Sequence, residues 1–386
     1  MTAGPRTAIV VGAGIVGAAC AEALADAGVT VNVLDARRPG GAATAAGMGH
    51  VLVLDDSEAQ LSLTKLGRDL WDARAGELPP AVERDPCGTI WVAADDEELA
   101  AVRTKHAWYA ARGVDTEILD AAALRHHEPE LRDGLVGGLR IPGDSVVYPP
   151  AATRHMLDRV VAAGGQVEEC RPVARCDDGR VELVDGSVRA ADLVVCAAGL
   201  GSPALCDVPG LVVRPKKGHL AITDRAPGFV RHQLVELGYL KSAHGDQRES
   251  VAFNVQPRHT GQVLLGSSRQ VDDDDPTIDA ALLARMVEHG IAFLPRLAEL
   301  PVIRVWTGFR PSTDDHLPVL GPAPGRPGLW LATGHEGLGI TTSLATARLL
   351  VDWLLDREPA IDWRPYDTAR LAATTAGAAT ETGGAR

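Results

Sequence analysis

A single arginine, Arg310, sits in the stretch WTGFRPSTDDHLPVLGP (306–322), between Phe309 and Pro311 and just ahead of two aspartates and a histidine. A guanidinium among apolar neighbours needs an anion, and its planar fork suits a carboxylate through two parallel charged hydrogen bonds. The alternative is a structural ion pair with Asp314 or Asp315. A second stretch, GAGIVG (12–17), has the form of a phosphate-binding turn. Gly12 permits the sharp turn, Gly14 lets backbone approach a pyrophosphate, and Gly17 lets a helix pack tightly on a strand. The helix start that follows offers N–H groups and a positive dipole end. Asp35 closes the next apolar run, where a carboxylate accepts hydrogen bonds from ribose hydroxyls and repels a 2′-phosphate, an argument that Arg37 and Arg38 weaken slightly.

Two further stretches distinguish a flavin from a nicotinamide. GGAATAAGMGHV (40–51) is a long loop of very small residues, able to lie against a flat ring or an extended diphosphate. In TGHEGLGITTSLATARLL, Gly334, Gly337 and Gly339 open another helix, whose first amides can face the electron-rich edge of a reduced isoalloxazine. Two glycine-opened helices at opposite ends of a chain make sense when one long ligand spans both.

The elements that must position these residues are legible in outline. TAIVVGAGIVGAACAEALADAGVTVNVLD reads as strand, glycine turn, helix and strand, with Gly28 as the helix C-cap. Leu61, Leu63, Leu66 and Leu70 predict an amphipathic helix over 57–74, followed by strands at GTIWVA and GGLRIPG. Residues 149–165 read as a helix. Short strands with Asp-Gly turns come next, and ADLVVCAAGLGS suits the centre of a parallel sheet. Alternating apolar runs occupy 212–305, and GLWLAT precedes a helix over 342–355. The expected fold class is α/β (α+β overall), a Rossmann-like dinucleotide-binding domain with a second, mostly antiparallel domain for substrate. The first takes 1–80, 145–215 and 305–371, the second 81–144 and 216–304, and the tail 372–386 lacks the bulky apolar residues needed for order.

Composition removes other classes of function. The chain has 386 residues, 46 % apolar and 4 % aromatic, enough for two cores. A formal charge of −13, without a basic stripe, argues against nucleic acid as a partner. The six cysteines (20, 87, 170, 176, 196 and 206) form no C-x-x-C pair and no zinc spacing, so reduced, mostly buried thiols and no metal are expected. DDDDP (272–276) reads as a solvated loop. No apolar run reaches the length of a membrane span, and a cytoplasmic location follows.

VVGAGIVGAACAEALADAG, AAGMGH, ADLVVCAAGLGS, RPKKGHL, NVQPRHTGQVLLGSSRQ, WTGFRPSTDDHLPVLGP and ATGHEGLGITTSLATARLL together resemble the FAD-dependent D-amino-acid oxidases and dehydrogenases, the group of glycine oxidase and sarcosine oxidase. Within it they look closest to the branch of D-hydroxyproline dehydrogenase, opine oxidase and the hydrogen cyanide synthase subunit. The resemblance implies that Arg310 holds a substrate carboxylate. It assigns Gly12, Gly14, Ile15, Val16, Gly17, Asp35, Ala36 and Arg37 to the ADP half of FAD, and Thr44, Ala45, Ala46, Gly47 and Met48 to the path from diphosphate to flavin. Val173 falls where the family bonds adenine, and Ala198 and Gly199 where the chain crosses the cofactor. Gly334, His335, Glu336, Gly337, Leu338, Gly339, Ile340 and Thr341 fall over the pyrimidine edge of the ring. It further implies hydride transfer from Cα of a small amino or imino acid to flavin N5, giving an imine that hydrolyses to an oxo acid.

The alternatives are a specialised secondary amine, an opine-like or hydrazine-type metabolite, or a role as catalytic subunit of a larger dehydrogenase. A homo-oligomer or partner subunits fit the same resemblance. Sarcosine oxidases of the group attach FAD through a cysteine in the C-terminal third; here no cysteine follows Cys206, so noncovalent FAD is expected. Six further residues remain open. His50 either helps deprotonate an incoming ammonium or is structural. Glu336 either meets a substrate's second polar group or caps its helix. Tyr239 and Lys241 stand where the family often places a carboxylate-binding tyrosine. Lys217 and His219 replace the family's usual basic-Gly-Gln pattern.

Overall fold

The strand Thr7–Val11, exposed only at its first residue, is the centre from which one sheet grows. It pairs in parallel with Thr30–Leu34 on one side and Leu193–Cys196 on the other. In this computed structural model, which describes residues 6–238 and 248–371, the six-stranded order is Val319–Ala323, Arg326–Thr333, Leu193–Cys196, Thr7–Val11, Thr30–Leu34, Gln166–Glu168. All neighbours are parallel except the hairpin at the first edge. The strand order reverses at Thr7–Val11, and the carboxyl end of a strand at such a switch point is where open α/β sheets bind ligands. Helices Ile15–Asp26, Pro149–Ala162 and Gly339–Leu354 bury alanine, leucine and valine on one face of this sheet.

The second sheet has eight strands, in the order Val302–Ser312, Arg214–Arg225, Gln262–Val271, Glu249–Pro257, Gln233–Glu236, Thr89–Ala93, Gly137–Ile141, Glu117–Asp120. Every pairing is antiparallel except Gln233–Glu236 with Thr89–Ala93. Helix Ala280–Phe293 covers one face, stacking Phe293 on Phe253 at 4.4 Å between ring centres. Residues 305–312, expected to go with the dinucleotide-binding strands, are instead part of the edge strand of this sheet. The reason is pairing: Arg214–Arg225 is long enough to hold the whole run from Val302 to Ser312 in antiparallel register, with one shift between Ile222 and Thr223.

The helix expected over 57–74 is Glu58–Ala73, capped by the Ser57 hydroxyl on the Gln60 N–H. Gly67 in this helix is needed for packing, because a Cβ there would overlap the Thr341 carbonyl of the C-terminal helix. The last helix starts at Gly339, three residues earlier than the apolar spacing predicts. Tyr239, Lys241 and the tail 372–386 lie outside the described residues.

Candidate active site

Along the paired strands Val302–Ser312 and Arg214–Arg225, residues opposite each other share a face. One face carries Arg310 with Lys216, Gly308 with Gly218, and Trp306 with Leu220. It is turned to the small-residue loop: a Cβ on Gly308 would overlap that of Ala46, Trp306 Nε1 donates to the Ala46 carbonyl at 3.3 Å, and Leu220 packs with Met48. The arginine motif and the AAGMGH loop therefore meet.

Arg310 is held on several sides. Its Nη1 donates to the Ser268 carbonyl at 3.3 Å. A Cβ on Gly218 would lie 2.6 and 2.8 Å from its two terminal nitrogens, and one on Gly337 would lie 3.5 and 3.6 Å from its Cδ and Nε. Two glycines thus give the side chain its slot. Of the carboxylates in its own motif, Asp314 is engaged by Arg214 at 3.2 Å and Asp315 by Arg370 at 2.7 Å.

His50 follows the loop, with its ring Nε2 buried. Burial pushes its pKa down to about 4; the Gln256 side chain opposes the shift and the Arg310 charge adds to it. A ring held neutral to that degree is a weak proton acceptor near neutral pH, which favours the structural of the two roles open for His50. Gln256 donates to the Met48 carbonyl at 2.7 Å, while its Oε1 and His50 Nε2 have no hydrogen-bond partner among the described residues.

Glu336 neither caps a helix nor reaches outward. With φ at +49°, it accepts from Lys216 Nζ at 2.8 Å and pairs with His316 Nδ1 at 2.8 Å, and the Ser312 hydroxyl donates to it at 3.4 Å. Burial pushes its pKa up, but His316 and Lys216 outweigh burial and hold it at about 2. His335 turns into the core, with Nε2 on Thr346 Oγ1 at 2.9 Å, and burial lowers its pKa to about 3. His219 is fully buried and structural: its Nε2 accepts the Asp279 N–H at 3.0 Å, so Nδ1 carries the proton toward Ser268 Oγ at 2.8 Å. Lys217 is paired with Asp273 of the acidic run at 3.2 Å.

At the other end of the site, Gly12 turns with φ at +104°, where a Cβ would come 2.5 Å from the Ala197 carbonyl. The Asp35 carboxylate accepts the Ala13 N–H on one oxygen and the Arg37 N–H on the other, both at 2.7 Å. It fixes the glycine turn and retains lone pairs for a ribose. Thr44 Oγ1 accepts the Ile15 N–H at 3.0 Å. The two glycine-opened helices begin side by side, since a Cβ on Gly339 would be 3.7 Å from Val16 Cγ2. Gly47 lies against Ile340, Thr341 Oγ1 donates to the His50 carbonyl at 2.9 Å, and Gly199 faces Pro311. Val173 opens a three-stranded sheet beside these elements.

Residues 7–353 match the DAO family, described as FAD dependent oxidoreductase. The chain is a member of that family. It is similar to glycine oxidase from Pseudomonas aeruginosa, 29 % identical over 376 residues spanning 94 % of this chain and 98 % of that protein. It is also similar to D-amino acid dehydrogenase from Xanthobacter autotrophicus, 30 % identical over 328 residues spanning 81 % of this chain and 74 % of that one. Glycine oxidase from Geobacillus kaustophilus superposes with a TM-score of 0.83 at 25 % identity, covering 94 % of this chain and 98 % of that one.

The residues of this FAD-dependent oxidoreductase fit the cofactor. Neither Gly14 nor Leu338, the N-caps of the two adjoining helices, uses a side chain to cap them, so no carboxylate or hydroxyl of a cap residue competes with a diphosphate or an electron-rich ring edge. Gly12 and Gly17 leave no room for a Cβ, so the turn presents backbone against which a diphosphate can lie. Sequence reasoning missed Lys216, Gly218, Gln256, Ser268 and Gly308. The faint signal was the match of Gly218 to Gly308, two glycines in alternating runs that can lie opposite each other only if strands from distant segments pair.

Proposed function

We propose that this chain oxidises the C–N bond of a small amino or imino acid, with Arg310 holding the substrate carboxylate. The observation that carries this reading is the placement of Arg310. Its guanidinium is slotted between Gly218 and Gly337, on the sheet face turned toward the loop 42–48. Arginine in a fixed slot binds a carboxylate bidentately and so orients the rest of the ligand.

Gly12, Gly14, Gly17 and Asp35 would hold the ADP half of FAD, the loop 44–48 its diphosphate arm, and the start of helix Gly339–Leu354 its ring. Bound there, FAD supplies a two-electron acceptor for the hydride leaving substrate Cα, and the resulting imine hydrolyses to an oxo acid. The protein's own contribution is placement. Arg310 fixes the carboxylate, Ser268 and the two flanking glycines fix Arg310, and the neutral His50 ring offers a hydrogen bond without adding charge. With the His50 ring neutral, the reading has the substrate react as the free amine. The described helices include none long and apolar enough to cross a membrane, and free cysteines fit a reducing, cytoplasmic setting. FAD is expected to be noncovalent, and subunit association is compatible with the reading.

The test is anaerobic mixing of the yellow protein with glycine, sarcosine, D-proline, D-hydroxyproline and related secondary amines, following loss of flavin absorbance. Arg310→Ala should keep its flavin and slow bleaching by roughly 100-fold or more. Unchanged bleaching in that variant would sink the proposal.

A further inference from the structure

Cys176, Cys196 and Cys206 are separated in sequence and brought together by the fold. Their three sulfurs all lie within 4.8 Å of one another, and all three residues are 0 % exposed. They come from three elements: the strand Val173–Asp177, the last residue of Leu193–Cys196, and the last residue of the short helix Ser202–Cys206. A thiol can serve as a small apolar side chain, and that accounts for each cysteine singly. It does not account for the convergence of all three in a core otherwise made of isoleucine, valine and leucine.

We propose that Cys176, Cys196 and Cys206 form a binding site for one soft, thiophilic cation. An ion about 2.3 Å from each sulfur, at the centre of their triangle, needs sulfurs about 4 Å apart, which falls within the spacing found. Thiolates select soft ions, and three ligands suit one that accepts trigonal coordination. Surrounding groups complete the site. Ser202, whose hydroxyl donates to Thr333 Oγ1 at 3.0 Å, opens the short helix that ends at Cys206. Arg326 spans the residues next to the other two ligands, approaching the Asp177 carboxylate at 3.8 Å and donating to the Asp207 carbonyl at 3.1 Å. Three thiolates around a divalent ion carry one net negative charge, and the Arg326–Asp177 pair beside the site is itself neutral. Each coordinated thiol releases its proton to solvent on binding. Because the sulfurs are buried, the ion enters as the chain folds.

The site is separate from the substrate clamp yet adjoins the cofactor. Cys196 directly precedes Ala197, whose carbonyl defines how closely Gly12 can approach. An ion tying 176, 196 and 206 together would stiffen the crossing at 197–199.

The experiment uses Cd2+ as the probe. The full chain is produced with Cd2+ in the medium, isolated as yellow holoenzyme, washed with chelator, and analysed for metal per chain and for thiolate-to-cadmium charge-transfer absorbance. The expected result is about one Cd2+ per chain in the wild type and in a Cys20→Ser/Cys87→Ser/Cys170→Ser variant. Cys176→Ser and Cys206→Ser should each lose the ion, and the loaded wild type should melt roughly 5 °C above the metal-free protein. Wild-type holoenzyme with less than about a tenth of an equivalent overturns the proposal, as does equal Cd2+ in the Cys176→Ser and Cys206→Ser variants. The wild-type count decides the matter even where a variant fails to fold.

Discussion

Lys216 and Arg310 stand directly opposite one another on adjacent antiparallel strands, and the carboxylate of Glu336 lies 2.8 Å from Lys216 Nζ. Two cations therefore share one sheet face, and the protein answers the charge of Lys216 itself. Glu336 is also joined by peptide bond to Gly337, which lies along the stem of Arg310. The Lys216–Glu336 pair thus acts as a strut behind the clamp.

Breaking the strut from one side leaves a largely buried charge without its main partner, with only His316 in reach. Glu336→Gln or Lys216→Met should each cost roughly 2–3 kcal/mol of stability, read from denaturant midpoints. The double variant Lys216→Met/Glu336→Leu should recover much of that loss, because no lone charge remains. If the two single costs simply add in the double variant, the pair is not coupled.

Gly218→Ala tests the slot without touching a charge. Its Cβ would meet both terminal nitrogens of Arg310 at under 3 Å, along with the Ser268 carbonyl at 2.9 Å. A guanidinium displaced by about 1 Å should reduce kcat/KM roughly 100-fold while flavin content stays at the wild-type level. Flavin titration alongside steady-state kinetics separates this outcome from misfolding.

His50, held at about 4, remains neutral through the range in which such an enzyme is assayed. The rise of kcat/KM with pH should therefore track loss of the proton from the substrate ammonium, and it should shift when the substrate amine is changed. His50→Asn should alter the height of that profile and leave its midpoint in place. A midpoint that disappears in His50→Asn would make the ring the base after all.

Acid should weaken the fold by two routes of the same sign. His335 takes up a proton near its ordinary pKa of 6.5 when unfolded but only near 3 when folded. As pH falls through that window the unfolded chain binds more protons and stability drops. Glu336 contributes stability that is full above its ordinary value of 4.5 and is lost as pH falls toward about 2. Between pH 6 and 5 His50, held at about 4, acts in the same direction as His335, while Asp144, which burial raises to about 7, opposes both; His335→Gln alone should reduce the slope of stability against pH by about 1.4 kcal/mol per unit. Urea melts at several pH values measure that slope.

Much of the site could be read before any coordinates. GAGIVG followed by Asp35, the small-residue loop and the glycine-opened last helix are local signals, because each encodes its own backbone geometry. Arg310 stands out locally as a guanidinium among apolar neighbours, while its role as a clamp is what the family resemblance implies. What could not be read was pairing between distant segments. Lys216 becomes a neighbour of Arg310, and Gly218 its floor, only through the register of two strands far apart in the chain. The edge-strand placement of 305–312 is lost for the same reason. The helix-cap alternative for Glu336 fails because a motif shows which residues are present, not that Lys216 and His316 arrive to pair with a carboxylate. The cysteine spacing of 176, 196 and 206 likewise has no short-range pattern.

The helix Gly339–Leu354 is wedged so closely against Glu58–Ala73 that Gly67 must lack a side chain, and it begins beside Val16 near the start of the chain. On the ribosome, the glycine turn at 12–17 thus emerges long before the wall that completes it. The sheet and the helix that adjoins Val16 are complete only once translation has delivered residues 326–354, and a nascent chain stalled earlier would expose an unfinished apolar sheet. Cells short of flavin would meet this protein as a late-folding client, and nonsense changes even near residue 340 should abolish colour entirely.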